Sequence, residues 1–189
     1  MIKKFMVLTL ALLLVGLGQA MAVEPPSEGE VFPDISLQVP GDADHREYLG
    51  LEAESGSFGL EDVQSELIII ELLSIYCPYC QKEAESVNEL YERIQSRGLD
   101  DRIKLLAIAP GNSAFEVGTW IKRYDTQFPI FPDPDYTFHK ILGETGTPYF
   151  FVLDMEDGQA KVLYAASGSF GPVASFLEPF EKMVKERSQ

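Results

Sequence analysis

The sequence predicts one α/β domain with a central mixed β-sheet flanked by helices on both faces. Three observations carry this. "LIIIELLSIY" (67–76) is a continuous apolar run, the mark of a strand buried on both faces. After Pro78 the apolar residues Ala84, Val87, Leu90, Tyr91 and Ile94 recur at helical spacing. A second buried run, "RIKLLAIAP" (102–110), then restarts the strand-to-helix order. With 189 residues and 46% hydrophobic content, the chain has room for one well-packed core.

Residues 1–22 stand apart from this domain. Lys3 and Lys4 precede an uncharged stretch from Phe5 to Val23, and Ala20-Met21-Ala22 offers a small-residue cleavage site. The segment reads as a signal peptide with Val23 as the first mature residue. The alternative is an uncleaved anchor, since a spanning helix needs at least ~17 apolar residues. Gly16, Gly18 and Gln19 thin the segment and favour cleavage, and no cysteine near Ala22 supports a lipid anchor.

Residues 23–31, rich in Pro and Glu, read as a flexible linker, and the domain occupies 32–189. "FPDISLQV" offers a short first strand, and the Gly-rich stretch 40–59 reads as a long loop or hairpin. The main strand and its helix follow, the helix stopping at Gly98. Asn112-Ser113 supplies a cap signal for a helix over 112–125. "FPIF" (128–131), a "PDPD" turn and the helical piece 136–143 come next. Two strands around Glu156-Asp157-Gly158 form a hairpin, and a final helix, bent near Pro179, closes the chain.

Composition excludes some partners. The formal net charge is −15, and −17 without residues 1–22, which disfavours nucleic acid and anionic membrane surfaces. Membrane association is expected only if the N-terminal segment is retained. Export implies a compartment where disulfides persist. Yet the two cysteines, Cys77 and Cys80, would close so short a loop that the bond stabilises by only about 2 kcal/mol. A staple would join distant segments, so the pair points to chemistry.

Cys77 sits where the strand gives way to the helix, with Pro78 at a position that tolerates a missing N–H. The free amides and positive dipole end there favour a thiolate, so the pKa of Cys77 should fall from ~8.5 and make it the nucleophile. Cys80, one turn on and on the same face, can attack a mixed disulfide on Cys77.

These residues resemble the thioredoxin superfamily, and within it the exported TlpA-like and ResA-like thiol-disulfide oxidoreductases, from about Val31 to the C-terminus. The resemblance rests on Cys77-Pro78-Tyr79-Cys80, on Glu71 in the preceding strand, and on Thr147-Pro148 ahead of "YFFVLD". It implies a thioredoxin-like fold and a cis-proline at Pro148. It also implies a backbone edge at Thr147 that pairs with substrate, and a substrate surface that includes Tyr76, Pro78 and Tyr79. Glu71 stands where thioredoxins carry a buried aspartate that exchanges protons with the resolving cysteine; burial would raise its pKa towards neutrality. The plainer alternative is that Glu71 reaches solvent at the strand end.

No cofactor is expected beyond the redox-active Cys77–Cys80 disulfide, and no metal. His139 reads as a helix-surface histidine, because copper-delivery relatives space their cysteines C-x-x-x-C. The partners implied are exported proteins carrying disulfides or dithiols, with apocytochrome c one possible target, and a membrane thiol transporter as electron donor. Tyr76 replaces the family's tryptophan. With no histidine between the cysteines, and with Glu83 and Glu85 on the helix, activation of Cys77 should be moderate, which leans towards a reductase. Two other classes stay open: a thiol peroxidase, since "SIYC" carries a Ser-x-x-Cys piece although Ile70 stands where peroxiredoxins have proline, and a non-catalytic binding module.

Overall fold

The structure, a computed structural model, describes residues 23–155 and 158–187. The signal-peptide reading of 1–22 and the Glu156-Asp157 part of the expected hairpin turn lie outside the described residues. Chain order is β1 (Leu37–Gln38), α1 (Ala43–Leu49), β2 (Ser57–Phe58), β3 (Leu67–Leu72), α2 (Pro78–Ser96), β4 (Ile103–Pro110), α3 (Ala114–Tyr124), β5 (Ile130–Asp133), α4 (Thr137–Ile141), β6 (Tyr149–Asp154), β7 (Lys161–Ser167) and α5 (Val173–Arg187).

Five strands form one sheet in the order β5-β4-β3-β6-β7. β3, β4 and β5 run parallel, whereas β6 and β7 are antiparallel additions. β3 is central, and all six of its residues are buried. Leu67 and Ile69 face a cluster with α2, α3 and α5, while Ile68, Ile70 and Leu72 face another with Leu49, Phe58, Leu60 and Leu142. Burying each such side chain contributes about 1.5–3 kcal/mol, which is why an unbroken apolar run is needed here.

Several boundaries differ from the sequence expectation. The 40–59 stretch, read as loop or hairpin, holds α1 and pairs β2 with β1. α1 is capped by the Asp42 side chain, which accepts from the amides of Asp44 (2.8 Å) and His45 (3.3 Å). It buries only Leu49, so it carries no apolar stripe from which to be recognised. The first strand shrinks to two residues, though Phe32 and Ile35 beside it are buried. The supposedly flexible 23–31 lead-in is pinned at its end: the Gly29 and Phe32 amides donate to the Val162 and Ala160 carbonyls (2.8 and 2.7 Å), beside a Val31–Lys161 bridge. The final helix is present as expected, α5 containing Pro179. Among the described residues no helix is long and apolar enough to cross a membrane.

Gly50 ends α1 in the left-handed region (φ +71°), and a Cβ there would sit 2.6 Å from the Gln64 side chain. Gly50→Ala should therefore cost about 1–2 kcal/mol, read as a lower urea midpoint at unchanged slope.

Candidate active site

The site forms where β3 hands the chain to α2. Past Leu72 the backbone is held at each step: the Leu73 amide donates to the Ile108 carbonyl (3.0 Å) and the Cys77 amide to the Ser74 carbonyl (3.0 Å). The buried Asn112 side chain accepts from the Ile75 amide (3.0 Å), and Gln81 Nε2 donates to the Ile75 carbonyl (2.8 Å). These contacts bring Cys77 to the N-cap of α2, with Pro78 in its first turn.

At the cap the Cys77 sulfur stands in for the usual capping oxygen. The Cys80 amide donates to Cys77 Sγ (3.4 Å), and the Cys77 thiol in turn donates to the Thr147 carbonyl (3.1 Å). The Thr147–Pro148 peptide is cis. Partial burial works to raise the pKa of Cys77. Hydrogen bonds from the Thr147 side chain and from the helix-start amides of Cys80 and Tyr79 outweigh it and leave the thiol below its ordinary value.

Cys80 is the opposite case. It is fully buried in the apolar cluster beneath α2, and both cysteines are thiols in this structure. Burial pushes its pKa far up; the Ser74 amide, 3.5 Å from Sγ, only partly counters that, and the neighbouring Glu71 adds to it. Two sulfurs one helical turn apart thus differ in their ease of ionisation.

Glu71 lies 1% exposed on the β3 face that Leu67 and Ile69 share, so the alternative of a solvent-reaching side chain does not hold. Its Oε1 is buried with no hydrogen-bond partner among the described residues. Burial, with the nearby Glu83 and Cys77, pushes its pKa up to about 8. Glu83, which the sequence offered only as a charge set against the thiolate, is itself buried and accepts from the Ser169 hydroxyl (2.8 Å). Glu85 is exposed.

The structure brings Cys77, Cys80, Glu71, Thr147 and Pro148 together. Pro78 is exposed, and Tyr76 and Tyr79 stand out at 67% and 73% exposure beside Cys77. The Tyr76 hydroxyl donates to Glu116, whose carboxylate also completes the capping box of α3 with Ser113. Sequence reasoning missed this tie, the Asn112 brace and the Glu83–Ser169 pair, because each joins segments distant in the chain. Phe115, next to Glu116, was also missed; its 83% exposure has no sequence signature. His139 is not a free surface residue: its Nε2 lies 2.7 Å from the Thr145 carbonyl. Tyr149 packs against Phe151, with ring centroids 4.8 Å apart.

A two-cysteine helix cap, facing a cis-proline on a β5-β4-β3-β6-β7 sheet, defines a thioredoxin-fold dithiol protein. Residues 29–163 match the AhpC/TSA family, and the chain belongs to it. It is similar to the thiol-disulfide oxidoreductase ResA of Bacillus thuringiensis subsp. konkukian, at 26% identity over 117 residues; the match spans 62% of this chain and 64% of that relative. The fold is similar to the thioredoxin domain of a thiol-disulfide oxidoreductase from Bacteroides vulgatus (TM-score 0.59, 14% identity, 84% of this chain and 99% of that one). A thiol:disulfide interchange protein from Bacteroides sp. aligns equally well (TM-score 0.59, 14% identity, 84% and 91%).

The buried Glu71 makes stability depend on pH. Its folded pKa exceeds the ordinary 4.5, so the folded state holds a proton that the unfolded chain has lost, and stability falls as pH rises from about 4.5 to about 8. Glu71→Gln should flatten that slope and raise the unfolding free energy at pH 8 by a few kcal/mol, measured by urea titration across pH.

Proposed function

We propose that the protein is an exported thiol-disulfide oxidoreductase that reduces protein disulfides through a Cys77-Pro78-Tyr79-Cys80 dithiol. The observation that carries this is the contrast between the sulfurs: Cys77, partly exposed with a lowered pKa, and Cys80, buried with a raised one. Such a pair suits attack by one thiol and resolution by the other.

Cys77 thiolate attacks a substrate disulfide, forming a mixed disulfide and releasing one substrate sulfur as thiolate. Cys80 then gives its proton to ionised Glu71 and attacks the Cys77 sulfur. The second substrate thiolate leaves, and the Cys77–Cys80 disulfide forms. Two electrons pass from protein to substrate, and the departing thiolates take up protons. Glu71, titrating near neutral pH, suits the exchange with buried Cys80. Thr147, Pro148, Tyr76, Pro78 and Tyr79 line the surface on which substrate lies. An external dithiol, in the family a membrane thiol transporter, restores the reduced state. Export follows from the reading of residues 1–22.

A thiol peroxidase is the second reading, favoured by the AhpC/TSA match and by Ser74 three positions before Cys77. Cys80→Ser should accumulate a mixed disulfide with a reducible protein substrate such as insulin, seen by non-reducing mass analysis, and Cys77→Ser should form none. A Cys77–Cys80 potential near or below about −270 mV fits the reductase. Absence of any mixed disulfide, together with stoichiometric consumption of peroxide by the wild type, would move the assignment to a peroxidase.

A further inference from the structure

The loop that carries Thr147 is held by few bonds, and one side chain supplies the critical one. Between α4 and β6 the chain passes through two residues of positive φ, Gly143 (+83°) and Glu144 (+51°), before reaching Thr145, Gly146 and Thr147. The Glu144 amide donates to the His139 carbonyl (2.9 Å), and His139 Nε2 lies 2.7 Å from the Thr145 carbonyl. The Thr145 hydroxyl is buried without a partner among the described residues. Beyond the cis peptide the next backbone tie is the Gly168 amide on the Pro148 carbonyl (2.9 Å). His139 therefore grips the loop with both its main chain and its ring, two residues before Thr147.

The grip has a firm base. The buried Asp133 carboxylate at the end of β5 accepts from the amides of Thr137 (2.6 Å) and His139 (3.0 Å), fixing α4 on the sheet. A carbonyl oxygen can only accept, so Nε2 of the half-buried His139 carries the proton.

We propose that His139 is a positioning residue: by holding the Thr145 carbonyl it sets where Thr147 lies against the Cys77 sulfur. This rests on the reading that Cys77 is the attacking thiol. Thr147 meets that sulfur through its carbonyl, which accepts from the Cys77 thiol at 3.1 Å. The carbonyl accepts only from the protonated thiol, so a loop released at Thr145 loses that register and changes the pH at which Cys77 ionises.

The test follows alkylation of Cys77 by iodoacetamide against pH, mapped by mass spectrometry, in the wild type, His139→Leu and His139→Gln. Leu fills the space without a donor, and Gln restores one. We expect His139→Leu to move the alkylation midpoint by about half a pH unit or more and His139→Gln to return most of that shift. Coincident wild-type and His139→Leu profiles, or equal shifts in Leu and Gln, would overturn the proposal. Should His139→Leu not fold, the ¹⁵N chemical shifts of the wild-type ring decide: an Nε2–H tautomer is expected, and an Nδ1–H tautomer refutes the grip. Both readouts need no substrate, so a protein that reduces no disulfide would sink the functional reading above and leave this result readable.

Discussion

The placement of the first turn of α2 over the Cys77 sulfur is the constraint on which the rest depends. A helix start leaves backbone amides without partners, and here the sulfur receives the Cys80 amide. That arrangement needs β3 to end at one definite residue, and β3 can end there only because it is clamped between β4 and β6 along its whole length. Shifting the register by one residue would turn Ile69 and Glu71 to the other face and carry Cys77 off the cap. Burial of the central strand and ionisation of a surface thiol are therefore one structural fact.

The same geometry explains why the site is asymmetric. Helical spacing places Cys80 a turn deeper than Cys77, beneath α2, where it meets Ala84 and Val87 in the apolar cluster. Water and helix-start amides serve the outer sulfur; the inner one has the Ser74 amide at 3.5 Å and the buried Glu71 carboxylate nearby. Glu71 raises the cost of a negative charge on Cys80, and Glu83 raises that of one on Glu71. Negative charge is thus favoured on Cys77 and disfavoured on Cys80, without a charged group between the cysteines.

Much of this was legible in the sequence, and the reasons are particular. "LIIIELL" could only be a strand buried on both faces, and a glutamate inside it had to be a buried acid or a strand-end residue; the structure selects the first, with Glu71 1% exposed. Cys77-Pro78 marked the helix start because proline fits there and few other residues signal so sharply. What stayed hidden has no periodic signal. α1 is too short to show an apolar stripe, and the 23–31 lead-in looked flexible because its ties to β7 are backbone bonds that composition does not reveal. His139 offered only a choice between a metal ligand and a plain surface residue. Its actual partner is a main-chain carbonyl six residues away, and no side-chain motif announces a carbonyl.

The two walls of the site are built by different means. On the α2 side, Cys77 is held by a regular helix, by Asn112 and by Gln81, and the Tyr76 hydroxyl ties the turn to α3 through Glu116. On the opposite side, the path from Glu144 to Pro148 has few backbone ties, and Thr147 meets the Cys77 sulfur through its carbonyl. On the proposed function, a disulfide partner approaches Cys77 between this wall and the exposed Tyr76, Pro78 and Tyr79. The loop must then be ordered enough to present Thr147 and open enough to admit a chain. A small number of well-placed bonds satisfies both demands better than a regular element would, since extending β6 backwards through Thr147 would commit its backbone groups to the sheet and remove the edge that a substrate segment needs.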